Sequence, residues 1–107
     1  MSTFDEREKA FENKFKRDQE LQFKVKARRN MMLGQWAASK VGMTGEAADQ
    51  YAKEVVAADF EKPGDDDVVQ KVIKDLGAKG AKVTEAEVRG EMGRLEAEAK
   101  RQLMESA

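Results

Sequence analysis

Few residues in this chain could do covalent chemistry, and their spacing narrows the choice further. Carboxylates are plentiful, with 21 Asp and Glu among 107 residues, and general acid–base work is what they could offer. That work needs a positioned partner, and nothing in the sequence couples a nucleophile to a base. There is no cysteine and no histidine, which removes thiolate chemistry, the commonest metal ligand and the commonest general base together. Asp65-Asp66-Asp67 is a dense acidic cluster. A calcium loop alternates its oxygen ligands around a central glycine and ends in a distant Glu, and this cluster does not fit that pattern. It reads as the first turn of a helix, where the dipole favours carboxylates. Gly77-Ala78-Lys79-Gly80-Ala81-Lys82 lacks the Gly-Lys-Ser/Thr ending of a phosphate loop and reads as a flexible connector. The chain is therefore read as no enzyme, with no catalytic, cofactor-binding or metal-binding residues and no required cofactor. No motif demands adenine nucleotide, and weak nucleotide binding by the body is left open.

What remains is binding chemistry, and two stretches could supply it. The run Lys24-Val25-Lys26-Ala27-Arg28-Arg29 is basic and fits a helix, so it could meet phosphates. An overall pI near 5.6 and interleaved acids weaken that use, and a solvated helix face is the simpler expectation for the two arginines. The stronger stretch is the N-terminal arm, from Thr3 to roughly Arg17. Read as helix, it carries Phe4, Phe11 and Phe15 at spacings of seven and four, which places them on one stripe. Arg7, Glu8 and Lys14 are among the charged groups flanking it. Thr3 and Glu6 have the spacing of a capping box.

Magnitudes decide how the arm behaves. Three buried Phe rings contribute about 5–9 kcal/mol, against an ordering cost of about 1–2 kcal/mol per residue. A lone helix of this length is marginal in water. The arm is expected to be mobile or at most a frayed, weakly helical extension, with enough aromatic anchorage to fold against something, either the rest of this chain or a partner. Phe4, Arg7, Glu8, Phe11, Lys14 and Phe15 are the expected partner-binding residues.

The elements that position this arm follow from periodicity. Asp18-Gln19-Glu20 is expected to break the helix, because the apolar stripe loses phase there and Phe23 departs from the line of Phe15. A second segment, roughly 20–42, carries Leu21, Val25, Met32, Trp36 and Met43 as a coiled-coil-like seam. Gly42 and Gly45 mark a turn, and a helix over 45–61 buries Ala48, Tyr51, Ala52 and Val55. Pro63-Gly64 closes it. A helix over 65–77 follows, with Val68, Val69, Val72, Ile73 and Leu76 inward. The last, over 84–105, opens on Thr84 and Glu87 and buries Val88, Met92, Leu95, Ala99 and Leu103. Gly90 and Gly93 within it point to a close crossing or a bend. The fold expected is all-α, a small four-helix bundle over 19–107 with an arm over 1–18, and with Trp36 in the core.

Charge is unevenly placed. Residues 1–30 hold nine basic and six acidic groups, and residues 44–76 hold nine acidic and four basic, so one end can be steered differently from the other. No apolar run reaches membrane-spanning length and no leader pattern opens the chain. A soluble, intracellular, unprocessed protein is expected.

Three blocks carry a resemblance. They are Phe4-Asp-Glu-Arg-Glu-Lys-Ala-Phe-Glu-Asn-Lys-Phe15, Ala27-Arg-Arg-Asn30 with Leu33-Gly-Gln-Trp-Ala37, and Tyr51-Ala-Lys-Glu-Val-Val-Ala-Ala-Asp-Phe-Glu61. In order and spacing they closely resemble the zeta subunit of alphaproteobacterial F-type ATP synthases, over about residues 3–76. The resemblance implies a small all-α inhibitor of ATP hydrolysis by the catalytic head, similar in action to the mitochondrial inhibitor protein. It implies an arm that enters a catalytic α/β subunit interface beside the central rotor and blocks hydrolysis-driven rotation. The implied partners are the alpha, beta and rotor subunits, with no nucleic acid and no membrane insertion. The free protein is expected to be a monomer, cytoplasmic and peripheral to the inner membrane through the synthase. With no histidine, no imidazole pH gate is available. The competing reading is a small helical nucleic-acid-binding or adaptor protein using Lys24 to Arg29.

Overall fold

The computed structural model describes the backbone of residues 3–61 and 64–105, and the side chains of 19–61 and 64–105. Four helices follow in order: α1 (Thr3–Lys40), α2 (Gly45–Glu61), α3 (Asp65–Ala78) and α4 (Glu85–Glu105). Among the described residues there is no strand. The all-α four-helix architecture matches the expectation from periodicity.

The break expected at Asp18-Gln19-Glu20 is not there. The backbone of α1 runs unbroken for 38 residues, about 57 Å at the rise of an α-helix. The physical reason is plain in composition. No proline precedes Lys40, the first glycine is Gly34, and residues 14–26 are mostly Lys, Arg, Glu, Gln and Leu, all good helix formers. A change of stripe phase alters which face is apolar, but it does not break the backbone ladder.

Two helices end by the same device. Gly42 has φ 78, its N–H donates to Ser39 O at 3.3 Å, and the Met43 N–H donates to Ala38 O at 3.0 Å. Gly80 has φ 85 and repeats the pattern, donating to Gly77 O at 3.1 Å while Ala81 N–H reaches Leu76 O at 2.9 Å. Each is a Schellman stop, in which a left-handed glycine lets the chain turn back onto the last carbonyls. The connector read as flexible is thus a hydrogen-bonded cap over its first half. At the start of α4 the Glu87 N–H donates to Thr84 Oγ1 at 3.1 Å, as the capping pattern predicts.

The core gathers Leu33, Ala37, Ala38, Tyr51, Val55, Val68, Val69, Val72, Leu76, Val88, Met92 and Leu95. Trp36 and Ile73 were expected within it and lie at its edge, partly buried against it. Buried positions on α1 include Val25, Arg29, Leu33 and Ala37, a run of fours about one residue out of step with the Met32–Trp36 seam, with Asn30 and Ala38 buried beside it. The close helix crossing also lies elsewhere than expected. Gly90 and Gly93 face open space, whereas a Cβ at Gly34 would stand 2.5 Å from Ala52 Cα and 3.2 Å from Val55 Cγ2. Gly34 and Ala52 let α1 and α2 approach closely, and no side chain larger than hydrogen fits at position 34.

Candidate functional site

The polar centre of the body is Arg29, expected on a solvated face and found buried to 1 % exposure. Its position in the run Val25–Arg29–Leu33–Ala37 points it into the bundle, and two other helices and its own neighbour Asn30 supply its partners. The guanidinium donates to Asp65 Oδ1 on α3 at 2.9 Å and to Glu96 Oε1 on α4 at 3.3 Å. It also donates to Asn30 Oδ1, from Nε at 3.1 Å and from Nη2 at 3.0 Å. Asn30, equally buried, donates through Nδ2 to Asp59 Oδ2 on α2 at 3.2 Å. Asp59 in turn accepts from Gly64 N–H at 3.3 Å. One arginine and one asparagine thus tie all four helices, through groups that carry fixed directions. Among the described residues no buried side-chain nitrogen or oxygen lacks a partner.

Two members of the acidic cluster have partners of their own. Asp65 belongs to Arg29, and Asp66 pairs with Arg89 of α4. Among the described residues no three acids come together as a metal could require. Burial takes Arg29 out of the exposed basic run, leaving Lys24, Lys26 and Arg28 on the surface. The signal for Arg29 was present in the sequence. It occupies the fourth place after Val25 and the fourth before Leu33, a core spacing filled by a charged residue.

A second polar group sits between α2 and α3. The Tyr51 hydroxyl donates to Asp75 Oδ2 at 3.0 Å, and Lys71 Nζ donates to the same oxygen at 2.9 Å. Lys71 also lies 5.7 Å from the Tyr51 ring centroid. Burial, and then the carboxylate of Asp75, push the phenol well above its ordinary range, because both disfavour phenolate. The linkage has a definite sign. The folded state holds this proton more tightly than the unfolded state, so the stabilisation is complete below pH about 10 and lost as pH rises beyond it. Tyr51 is the one tyrosine in the chain, so phenolate absorbance reports it alone. At pH about 10.5 the native protein should show little phenolate while the urea-unfolded chain is more than half ionised. Tyr51→Phe should flatten the alkaline decline in stability. Native titration near the free value would contradict this geometry.

On the outer face of α1 and α2 two rings remain half in solvent. Phe23 and Phe60 are each 57 % exposed, with centroids 5.3 Å apart and planes tilted by 48°. Sequence periodicity missed this pair because the two residues are 37 positions apart and neither belongs to a core stripe. The six expected partner-binding residues, Phe4, Arg7, Glu8, Phe11, Lys14 and Phe15, have side chains outside the described residues. Their backbone belongs to α1.

The described residues bring together ion pairs, caps and a packed apolar core, with the chemistry of holding a shape and offering surfaces. No described helix is long and apolar enough to cross a membrane. The class this defines is a small all-α helical-bundle protein. A family model described as ATPase inhibitor subunit zeta matches residues 1–102, and the chain belongs to that family. Its role is accordingly that of a regulatory inhibitor associated with an ATP synthase. A protein with a solved solution NMR structure is 48 % identical to it, with a TM-score of 0.71 over 81 % of this chain and 99 % of that one. Among curated proteins none matches.

Proposed function

We propose that this protein inhibits ATP hydrolysis by the F-type ATP synthase through its N-terminal arm, residues 1–18, carried by a bundle domain of residues 19–107. The arm enters a catalytic α/β interface as a helix, next to the central rotor, and blocks the rotation that hydrolysis would drive. Phe4, Phe11 and Phe15 are its apolar anchors, and Arg7, Glu8 and Lys14 direct it. In this reading the free protein is a monomer and requires no cofactor. It lies on the cytoplasmic side of the inner membrane, held there by the synthase.

The observation that carries this reading is the unbroken backbone of α1. An α-helix completes five turns in eighteen residues. Phe11 precedes Arg29 by eighteen, and Phe15 precedes Leu33 by eighteen. In a continuous helix these two positions therefore repeat the register of the residues by which α1 grips its own bundle. The arm extends that gripping face past the bundle, where a partner's groove can take the place of α2 and α4. The test is ATP hydrolysis by a matched synthase head, with intact or arm-deleted protein added. Inhibition should require the arm. Equal inhibition by the two, or none by the intact protein, would overturn the proposal.

A further inference from the structure

The body carries a surface that the arm reading does not use. Phe23 and Phe60 stand side by side on α1 and α2; both rings line one cleft with Ala27 and Val56, and Phe23 lines a second with Met31 and Leu103. Burial of two half-exposed aromatic rings is a standing source of binding energy. The charged groups around them are mainly cations from α1. Arg28 donates to Gln102 at 2.9 Å and remains exposed, and Lys24 and Lys26 form no ion pair among the described residues. Of the neighbouring acids, Asp59 lines the same cleft as Lys26, but its carboxylate already accepts from Asn30 and from Gly64 N–H. Glu20 and Glu61 are the other two close in sequence, so cations lead at the rim.

We propose that the Phe23–Phe60 face is a second docking surface, and that its occupant is an acidic amphipathic helix on the outside of the same synthase head. The inference rests on the arm reading and adds the body's own contact to it. Two arguments select this occupant. Charge complementarity favours an acidic partner, and it disfavours a second copy, whose two-fold contact would set the same cations against themselves. Continuity supplies the rest. Phe23 follows Phe15 by eight residues on one helix, about 12 Å along the axis and about 80° around it, so an arm seated in the head brings this face close to the head's surface. The two contacts then act as one bivalent binder, the second gaining from the high local concentration set by the first.

The test uses the full chain, with F23S/F60S and K24E/K26E as separate variants, measured for affinity to the head and for inhibition at saturation. F23S/F60S should bind about ten- to hundred-fold more weakly, yet still inhibit once saturated, because its arm is intact. K24E/K26E lies on an exposed surface and leaves the core untouched. It should bind about ten-fold more weakly at low salt, with the deficit shrinking as salt rises. Parent-like affinity in both variants, while arm deletion abolishes inhibition, overturns this surface and leaves the arm reading standing. Inhibition by the arm-deleted chain overturns the arm reading itself. Dimerisation of the free parent that F23S/F60S removes, or RNA binding that K24E/K26E removes, with affinity for the head unchanged in each case, also overturns the proposal.

Discussion

Replacing Phe11 and Phe15 together by Ala is expected to remove inhibition of ATP hydrolysis while leaving the melting temperature where it was. Each ring supplies about 1.5–3 kcal/mol when fully taken out of water. The pair therefore accounts for about 3–6 kcal/mol of binding, or roughly two to four powers of ten in affinity. Among the described residues the core cluster draws on Leu33, Ala37 and Ala38 of α1, and the double replacement leaves all three in place. The measurement is paired. Inhibition is titrated against a matched synthase head, and thermal unfolding is followed through Trp36, the one tryptophan of the chain. A variant that inhibits as well as the parent shows that the rings are not anchors. A variant that melts much earlier shows that the arm is part of the bundle's own core, and that a partner's groove is not what the aromatic stripe was built for.

The parts of the molecule legible in its sequence are those governed by one helix at a time. The apolar faces of α2, α3 and α4 follow from spacing, and Tyr51, Val55, Val72, Leu76, Val88 and Leu95 are buried as periodicity predicts. Where two helices had to be known together, the reading failed in specific ways. Met32 and Trp36 look like a seam because they are large and four apart. The true contact face is set instead by Gly34, whose missing side chain draws α2 onto the neighbouring stripe and puts Leu33 and Ala37 inside. Gly90 and Gly93 resemble a crossing point only until α4's open side is known. Phe23 and Phe60 are invisible as a pair for the same reason, since their contact is a property of the α1–α2 crossing. The break expected at Asp18 to Glu20 came from treating a change of stripe phase as a change of backbone, and no residue there opposes a helix.

Arg29 carries the second large effect. Arg29→Ala is expected to destabilise the bundle by about 3–5 kcal/mol, from about 2–3 kcal/mol for the emptied stem and about 1–2 kcal/mol for the orphaned buried amide. For a domain of this size that lowers the melting temperature by roughly 12–40 °C, at about 4–8 °C for each kcal/mol. The loss does not fall on the carboxylates. Asp65 and Glu96 have side chains 48 % and 49 % exposed, so water solvates them once the guanidinium is gone. It falls on Asn30, whose buried Oδ1 loses both of its donors, and on the space left by the arginine stem. Arg29→Lys should be intermediate. A single ammonium keeps the charge but cannot reach α3, α4 and Asn30 at once in the way a planar fork does. Arg29→Met refills the volume and still orphans Asn30, so it should recover only part of the stability, and Arg29→Met with Asn30→Leu should recover more. Chemical unfolding of this series decides between two accounts of the same burial. If Arg29→Met alone is as stable as the parent, the arginine serves as a packed stem and its hydrogen bonds add nothing net. If only the double replacement restores stability, the four helices are joined through the paired polar groups of Arg29 and Asn30.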